Sequence, residues 1–406
     1  MKRIYLDFAA STPVDPEVFA AMEPYFAKKF GNPGSLHSFG REAIAAVDRA
    51  RETVARAVGA DFRQIVFTSS ATEANSLALR GAARRFREER GGRAAPRLIV
   101  SSVEHESVLE TARAMEREGI SVAYAPVDAA GAVDADFIKR HLAPETALVS
   151  VMYGQNETGT LEPVPEIARI VADFRRAAAP PLARPLFHTD AAQAFQFFDC
   201  SAGALGADLV TISSQKIYGP KGAAALFVKD LSALAPALEG GGQEFGLRSG
   251  TENVPAIVGF AKAVELAVAA REKESARLAP LAARLAQGIR TRVPGAEING
   301  AEPGIEAGGS GGRRLPHIVN IYFPGRAADE LLTKFDLAGL AVSSGSACRA
   351  RAAAPSYVIA ALAKAAGFGE VRAKDRARGS IRFSLGRGTS ADEIEEAIKL
   401  VAEAAA

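Results

Sequence analysis

The chain has 406 residues, enough for two or three domains around a large buried core. Nearly half of it is apolar, and 49 basic against 47 acidic side chains leave a net charge of +2. That balance argues neither for nucleic acid nor for an anionic membrane as the main partner. The segment from Met1 to Asp7 has no apolar core of signal-peptide length. Seven apolar, strand-like runs follow in order, at 64–68, 97–100, 122–124, 147–152, 185–188, 208–213 and 223–228. Helical patterns follow the first two, over about 72–90 and 108–118. Strands spaced by helices predict an α/β fold with a mostly parallel seven-stranded sheet flanked by helices.

The character changes after Gly250. A long amphipathic helix is expected over 254–285, with a break near Pro280. Lys262 and Glu265 interrupt its most apolar part, so no membrane span is expected. A glycine-rich loop over 300–316 leads into a smaller α/β segment: strands at 318–322 and 380–385 and a helix near 328–337. The last helix opens with Ser390 and Glu393 as a capping box and places Ile394, Ile398 and Val401 on one face. The expected division is a large domain over 16–264, with 1–15 and 265–406 forming a small domain.

The polar residues of interest all follow apolar runs, which is where ligands sit in parallel sheets. Asp190, in Phe187-His188-Thr189-Asp190-Ala191-Ala192-Gln193, and Lys216, in Ser213-Ser214-Gln215-Lys216-Ile217-Tyr218-Gly219-Pro220, deliver an acid and an amine from neighbouring strand ends. Pyridoxal 5'-phosphate needs that pair: a lysine for its aldehyde and a carboxylate for its pyridine nitrogen. Ser69-Ser70-Ala71-Thr72-Glu73, at a helix start, offers an anion site, although a simple helix cap explains it equally well. Gly240 to Thr251 is a second glycine-rich, hydroxyl-bearing stretch with a weaker phosphate signal. His105, after Glu104, is placed to stack on a planar cofactor and shuttle protons. Arg382 and Arg387 lie on an alternating strand pattern, and an arginine fork there suits an amino acid carboxylate. Two cysteines give neither a disulfide framework nor a zinc site, in keeping with a reducing cytoplasm. Cys348 lies among serines, glycine and the cations Arg349 and Arg351, a setting for a reactive thiolate. Cys200 reads as buried filler.

Taken together, these segments resemble the cysteine desulfurases of the NifS/IscS type, class V aminotransferase relatives with the fold-type I PLP-dependent transferase architecture. The likeness runs nearly end to end, through Tyr5-Leu6-Asp7, Gly31-Asn32-Pro33, Ala71-Thr72-Glu73, Glu104-His105, Asn156-Glu157-Thr158-Gly159, Asp190 to Gln193, Lys216 to Gly222, Arg248 to Thr251, Ser343 to Cys348, Pro355 to Val358 and Ile381 to Ser384. The resemblance implies that Lys216 carries the cofactor and Asp190 partners its ring nitrogen. Gln193 and Asn156 would hold the ring oxygen and its neighbours. The Ala71 backbone, Thr72, Ser213 and Gln215 would bind the phosphate, with Thr251 arriving from the other subunit of a homodimer. His105 would stack on the ring as acid and base, and Arg382, helped by Asn32 and Asn156, would bind the substrate. Cys348 would attack the sulfur of L-cysteine, keeping it as a persulfide while alanine leaves.

Departures from that family's pattern are Phe8, where asparagine is usual, and Gln215, where histidine is usual. Ala406 follows closely on the last helix, so the longer tail with which some relatives grip an iron–sulfur scaffold protein is not expected. An acceptor protein of that kind remains the expected sulfur partner, in the cytoplasm, without nucleic acid or membrane. No resident metal is expected; at most Cys348 holds an iron–sulfur cluster transiently with a partner. Alternatives are a selenocysteine lyase, another class V lyase or aminotransferase, or a non-enzymatic sulfur-relay scaffold.

Overall fold

The computed structural model describes residues 3–92, 94–178, 184–303, 314–345 and 355–405. In chain order its first strands are β1 (Ile4–Tyr5), β2 (Ile65–Thr68), β3 (Arg97–Ser101), β4 (Ser121–Ala125), β5 (Thr146–Ser150) and β6 (Leu186–Asp190). They are followed by β7 (Leu209–Ser213), β8 (Ala224–Val228), β9 (Glu297–Ile298), β10 (Ile318–Tyr322), β11 (Leu340–Ala341) and β12 (Ser380–Ser384). The seven strands β2 to β8 form one sheet in the order β2-β8-β7-β6-β5-β3-β4. Only β8 runs against its neighbours. All seven coincide with the runs expected from sequence.

Alternation along each strand splits the core into two layers. Val66, Leu98, Val100, Leu148 and Leu226 pack on one face with Leu77, Phe86 and Val108 from the helices Ala71–Glu89 and Glu106–Arg117. Ile65, Phe67, Ile99, Val149, Val210 and Phe227 point the other way, into a core continuous with the C-terminal part of the chain. That part holds a three-stranded antiparallel sheet, β12-β10-β9, and a two-stranded parallel sheet, β1-β11. The N-terminal strand therefore pairs with residues 340–341.

The expected break at Pro280 does not occur: one helix spans Val254–Arg292 with Pro280 inside it. Packing overrides the missing N–H. Leu278, Ala282 and Leu285 are buried around the proline, and Arg277 donates to the carbonyls of Gly386, Arg387 and Thr389. The domain division expected at 264/265 falls within this helix. It packs against the helix Ser38–Ala57 near one end and against Ala391–Ala404 and β10 near the other. The expected capping box is present, Ser390 Oγ accepting from Glu393 N at 3.2 Å and Glu393 Oε2 from Ser390 N at 3.1 Å. Ser390→Ala should lower the unfolding free energy by about 1 kcal/mol in a denaturant titration.

Candidate active site

The strands deliver their polar ends to one edge of the sheet. Asp190 ends β6, Ser213 ends β7 with Lys216 three residues on, and Glu104-His105 follow β3. Asn156 follows β5, while Ser70 caps the helix that follows β2. One cavity there is lined by Ala71, Thr72, His105, Asn156, Asp190, Gln193, Ser213, Gln215, Lys216 and Arg382. Ten residues singled out from the sequence thus meet around a single space. Among the described residues a larger cavity, about 860 Å³, opens at the opposite edge of the sheet. Its charges are absorbed by the pairs Arg175–Asp208 and Arg184–Glu89, and it contains none of the expected chemistry.

The N-terminal segment closes the site from above. Lys216 Nζ donates to the carbonyls of Ala9 at 2.7 Å and Ala10 at 2.8 Å, and Gln193 Nε2 donates to Ala9 O at 2.8 Å. Asp190 accepts at both oxygens, Oδ1 from Ala192 N at 2.9 Å and Oδ2 from Asn75 Nδ2 at 2.7 Å. His105 caps the helix Glu106–Arg117 through Nδ1. Burial pushes its pKa below the usual histidine value, Asp190 opposes that shift, and Lys216 adds to it. Under the site, Glu104 Oε1 accepts from Met152 N, and burial pushes that carboxyl up to about 8, with Asp190 adding to the rise.

At the helix start, Ser70 Oγ accepts from Glu73 N, leaving first-turn N–H groups at Ala71 and Thr72 without intrahelical acceptors. Glu73 pairs with Arg248 at 2.7 Å, which ties the stretch 240–251 to this helix. That stretch is anchored again by Glu244, which takes a bidentate bond from buried Arg51 at 2.6 and 2.8 Å.

Arg382 is buried, and much of its fork is already committed. Nη1 donates to the carbonyls of Asn156 and Gly345, both at 3.0 Å, and Nη2 to Asp7 Oδ1 at 2.8 Å. Nε, also buried, has no hydrogen-bond partner among the described residues. Thr251 and Asn32 do not reach the Lys216 cavity; both are exposed and line a separate groove with Tyr25, Lys29 and Phe30. Cys348, Arg349 and Arg351 lie outside the described residues. Gly345 and Tyr357, the described neighbours on either side of that segment, line the cavity. Cys200 is fully buried, which pushes its thiol pKa up and suits filler. Phe8 packs edge-on to Tyr5 and against Gly386, a structural position.

Sequence reasoning missed Asn75 and Ser107. Its available signal was a polar residue on the otherwise apolar stripe of Ala74, Leu77 and Ala78.

Comparison with known proteins settles the ancestry. The sequence profile of the aminotransferase class-V family matches residues 4–397. The chain belongs to the class V aminotransferase family. This class V chain is 38% identical to the cysteine desulfurase IscS of Dictyoglomus turgidum, over 97% of itself and 92% of that protein. It is 40% identical to the cysteine desulfurase IscS of Anaeromyxobacter dehalogenans, over 98% of itself and 92% of that protein. A solved NifS-like protein superposes with a TM-score of 0.85 at 32% identity, covering 99% of this chain and 98% of that one. Class V aminotransferases are PLP-dependent, and the cavity lies where such a cofactor's site is expected in this fold. Among the described residues no helix is long and apolar enough to cross a membrane.

Proposed function

We propose that the protein is a cysteine desulfurase, a sulfurtransferase that moves sulfur from L-cysteine to Cys348 and releases L-alanine. The observation that carries this reading is the cavity itself. It gathers Lys216, Asp190, His105 and Arg382, and its wall includes the neighbours of the Cys348 segment, Gly345 and Tyr357. End-to-end likeness to cysteine desulfurases supports the reaction assigned to it.

The donor set suits pyridoxal 5'-phosphate. Lys216 would hold the aldehyde carbon, Asp190 the ring nitrogen, and Gln193 with Asn156 the ring oxygen and its surroundings. The phosphate would rest on the helix start at Ala71, with Thr72, Ser213 and Gln215. Bound there, the cofactor supplies an electron sink for the bond pair released at the substrate's Cα. The chain's own groups do the rest. Arg382 orients the substrate carboxylate, Lys216 Nζ takes the Cα proton, and the buried site keeps water from competing for it. The Cys348 thiolate attacks the substrate sulfur: an S–S bond forms, the C–S bond breaks, and its electron pair goes to Cβ. Cβ takes a proton to become a methyl, Lys216 Nζ returns a proton to Cα, and alanine leaves, so no external oxidant is needed.

A homodimer completes the site in this reading. Phe19, Phe26, Phe30, Leu36 and Phe39 are 50–90% exposed; Phe30 lines the groove of Asn32 and Thr251, and Phe39 packs on Phe30. That apolar area supports burial against a second copy, which would bring Thr251 to a neighbouring phosphate. We assign the enzyme to the cytoplasm, with a sulfur acceptor such as an iron–sulfur scaffold protein as its partner.

The test is to incubate the purified, PLP-loaded protein with L-cysteine and a reductant and to measure alanine. Native protein is expected to form it and Cys348→Ser to form none. Equal alanine from both would remove the persulfide step, and none from either would remove the desulfurase reading.

A further inference from the structure

The hydrogen bonds around Asn75 form a directed chain between two groups of the site. Asn75 Nδ2 lies 2.7 Å from Asp190 Oδ2 and 2.8 Å from Ser107 Oγ. Only the amide N–H₂ end of an asparagine can face a carboxylate, because its oxygen would be repelled, so the orientation of Asn75 follows from chemistry. One N–H then goes to Asp190 and the other to Ser107 Oγ. Ser107 Oγ is thereby an acceptor from Asn75, and its own hydrogen must point elsewhere. The partner in reach is His105 Nδ1, at 2.9 Å. The same nitrogen accepts from the Ser107 backbone N–H at 3.1 Å.

Two donors on Nδ1 leave no room for a proton there. A neutral His105 must carry its proton on Nε2. Asn75 and Ser107 are buried, and His105 is half-buried at the cavity wall. Asn75 Oδ1 is left without a hydrogen-bond partner among the described residues, a desolvation cost that the two bonds of Nδ2 outweigh.

We propose that Asn75 and Ser107 are positioning residues that lock His105 as an Nε2–H donor while fixing the Asp190 carboxylate with the same amide. His105 then enters the reaction as a hydrogen-bond donor and acid, and the base that removes the Cα proton is Lys216. The groups facing the imidazole agree with a neutral ring. Burial lowers its pKa, the Lys216 and Arg382 cations lower it further, and Asp190 and Glu106 oppose them. The use of this donor in catalysis rests on the desulfurase reading; the lock itself does not.

The experiment is long-range ¹H–¹⁵N NMR at pH 8 on as-purified protein labelled with ¹⁵N-histidine. The chain has five histidines, and His105→Gln identifies the signal by its loss. Native His105 should show a bare Nδ1 and a protonated Nε2. Ser107→Ala removes one donor and should cut the Nε2–H to Nδ1–H ratio about fivefold, while Ser107→Thr should restore it. Asn75→Asp should match Ser107→Ala, because a carboxyl at 75 accepts from the Ser107 hydroxyl and turns its hydrogen away. A native Nδ1–H tautomer, or a ratio that Asn75→Asp leaves unchanged, overturns the proposal. Should a variant fail to fold, the native spectrum alone still decides the tautomer. The readout needs no turnover, so protein that makes no alanine yet shows Nε2–H sinks the desulfurase reading and leaves the lock standing.

Discussion

Lys216→Ala is expected to abolish alanine formation from L-cysteine, by at least about 10³-fold. A positioned general base is itself worth about 10²–10⁴ in rate, and this substitution also removes the point of covalent cofactor attachment. The fold should survive, because the Nζ bonds to the carbonyls of Ala9 and Ala10 lie at the rim of the site. Borohydride reduction followed by peptide mass analysis should place the cofactor on the Lys216 peptide of native protein and nowhere in the variant. Added small amines test the assignment further, since an amine that fits the vacated space should recover part of the rate. Alanine formed by Lys216→Ala at a tenth of the native rate or more would show that another group removes the Cα proton.

Glu104→Gln is expected to stabilise the protein at alkaline pH. The buried carboxyl titrates near 8 when folded against 4.5 for the free group. Between these values the folded chain keeps a proton that the unfolded chain has lost, so native stability falls as pH rises through the window and levels off above it. Glutamine has no such proton, can accept from Met152 N as Glu104 Oε1 does, and places its amide where Oε2 has no partner among the described residues. Near pH 5 the two proteins should unfold at similar denaturant concentrations. By pH 8 the variant should lead by an amount on the order of 3–5 kcal/mol. Glu162, whose burial also raises its pKa, keeps a residual slope of the same sign in both. Denaturant unfolding followed by circular dichroism at fixed protein concentration measures the difference. An equal gap at both pH values would mean that Glu104 is ionised in the native state.

The seven strands of the large sheet were legible because strands buried on both faces, such as Leu98-Ile99-Val100, are continuous apolar runs bounded by polar turns. The site was legible for the same reason: Asp190, Lys216 and His105 each follow such a run, and parallel topology sends those ends to one place. Pro280 was misjudged because a local rule was applied where tertiary contacts decide. Arg277, donating to three carbonyls from 386–389, holds the helix on course past the proline. The Asn75 chain was beyond local reading, since its amide meets Asp190 across 115 positions of sequence. Arg382 was read as a fork for an amino acid carboxylate; its engagement by Asp7 and two carbonyls is a product of packing and has no sequence signature.

The strand Ile4–Tyr5 and the residues just after it have a consequence for the order of folding. Asp7 takes a bond from Arg382, 375 positions further along the chain, and bridges to Ser384 beyond it. Ala9 and Ala10, which hold the Lys216 amine, ride on the same segment. This segment therefore takes its place only once the strand Ser380–Ser384 is available to receive it. A polypeptide ending between β8 and Arg382 would hold all seven strands of the large sheet yet lack the Asp7–Arg382 pair. Closure of the pocket over Lys216 is thus tied to contacts that span almost the full length of the described chain.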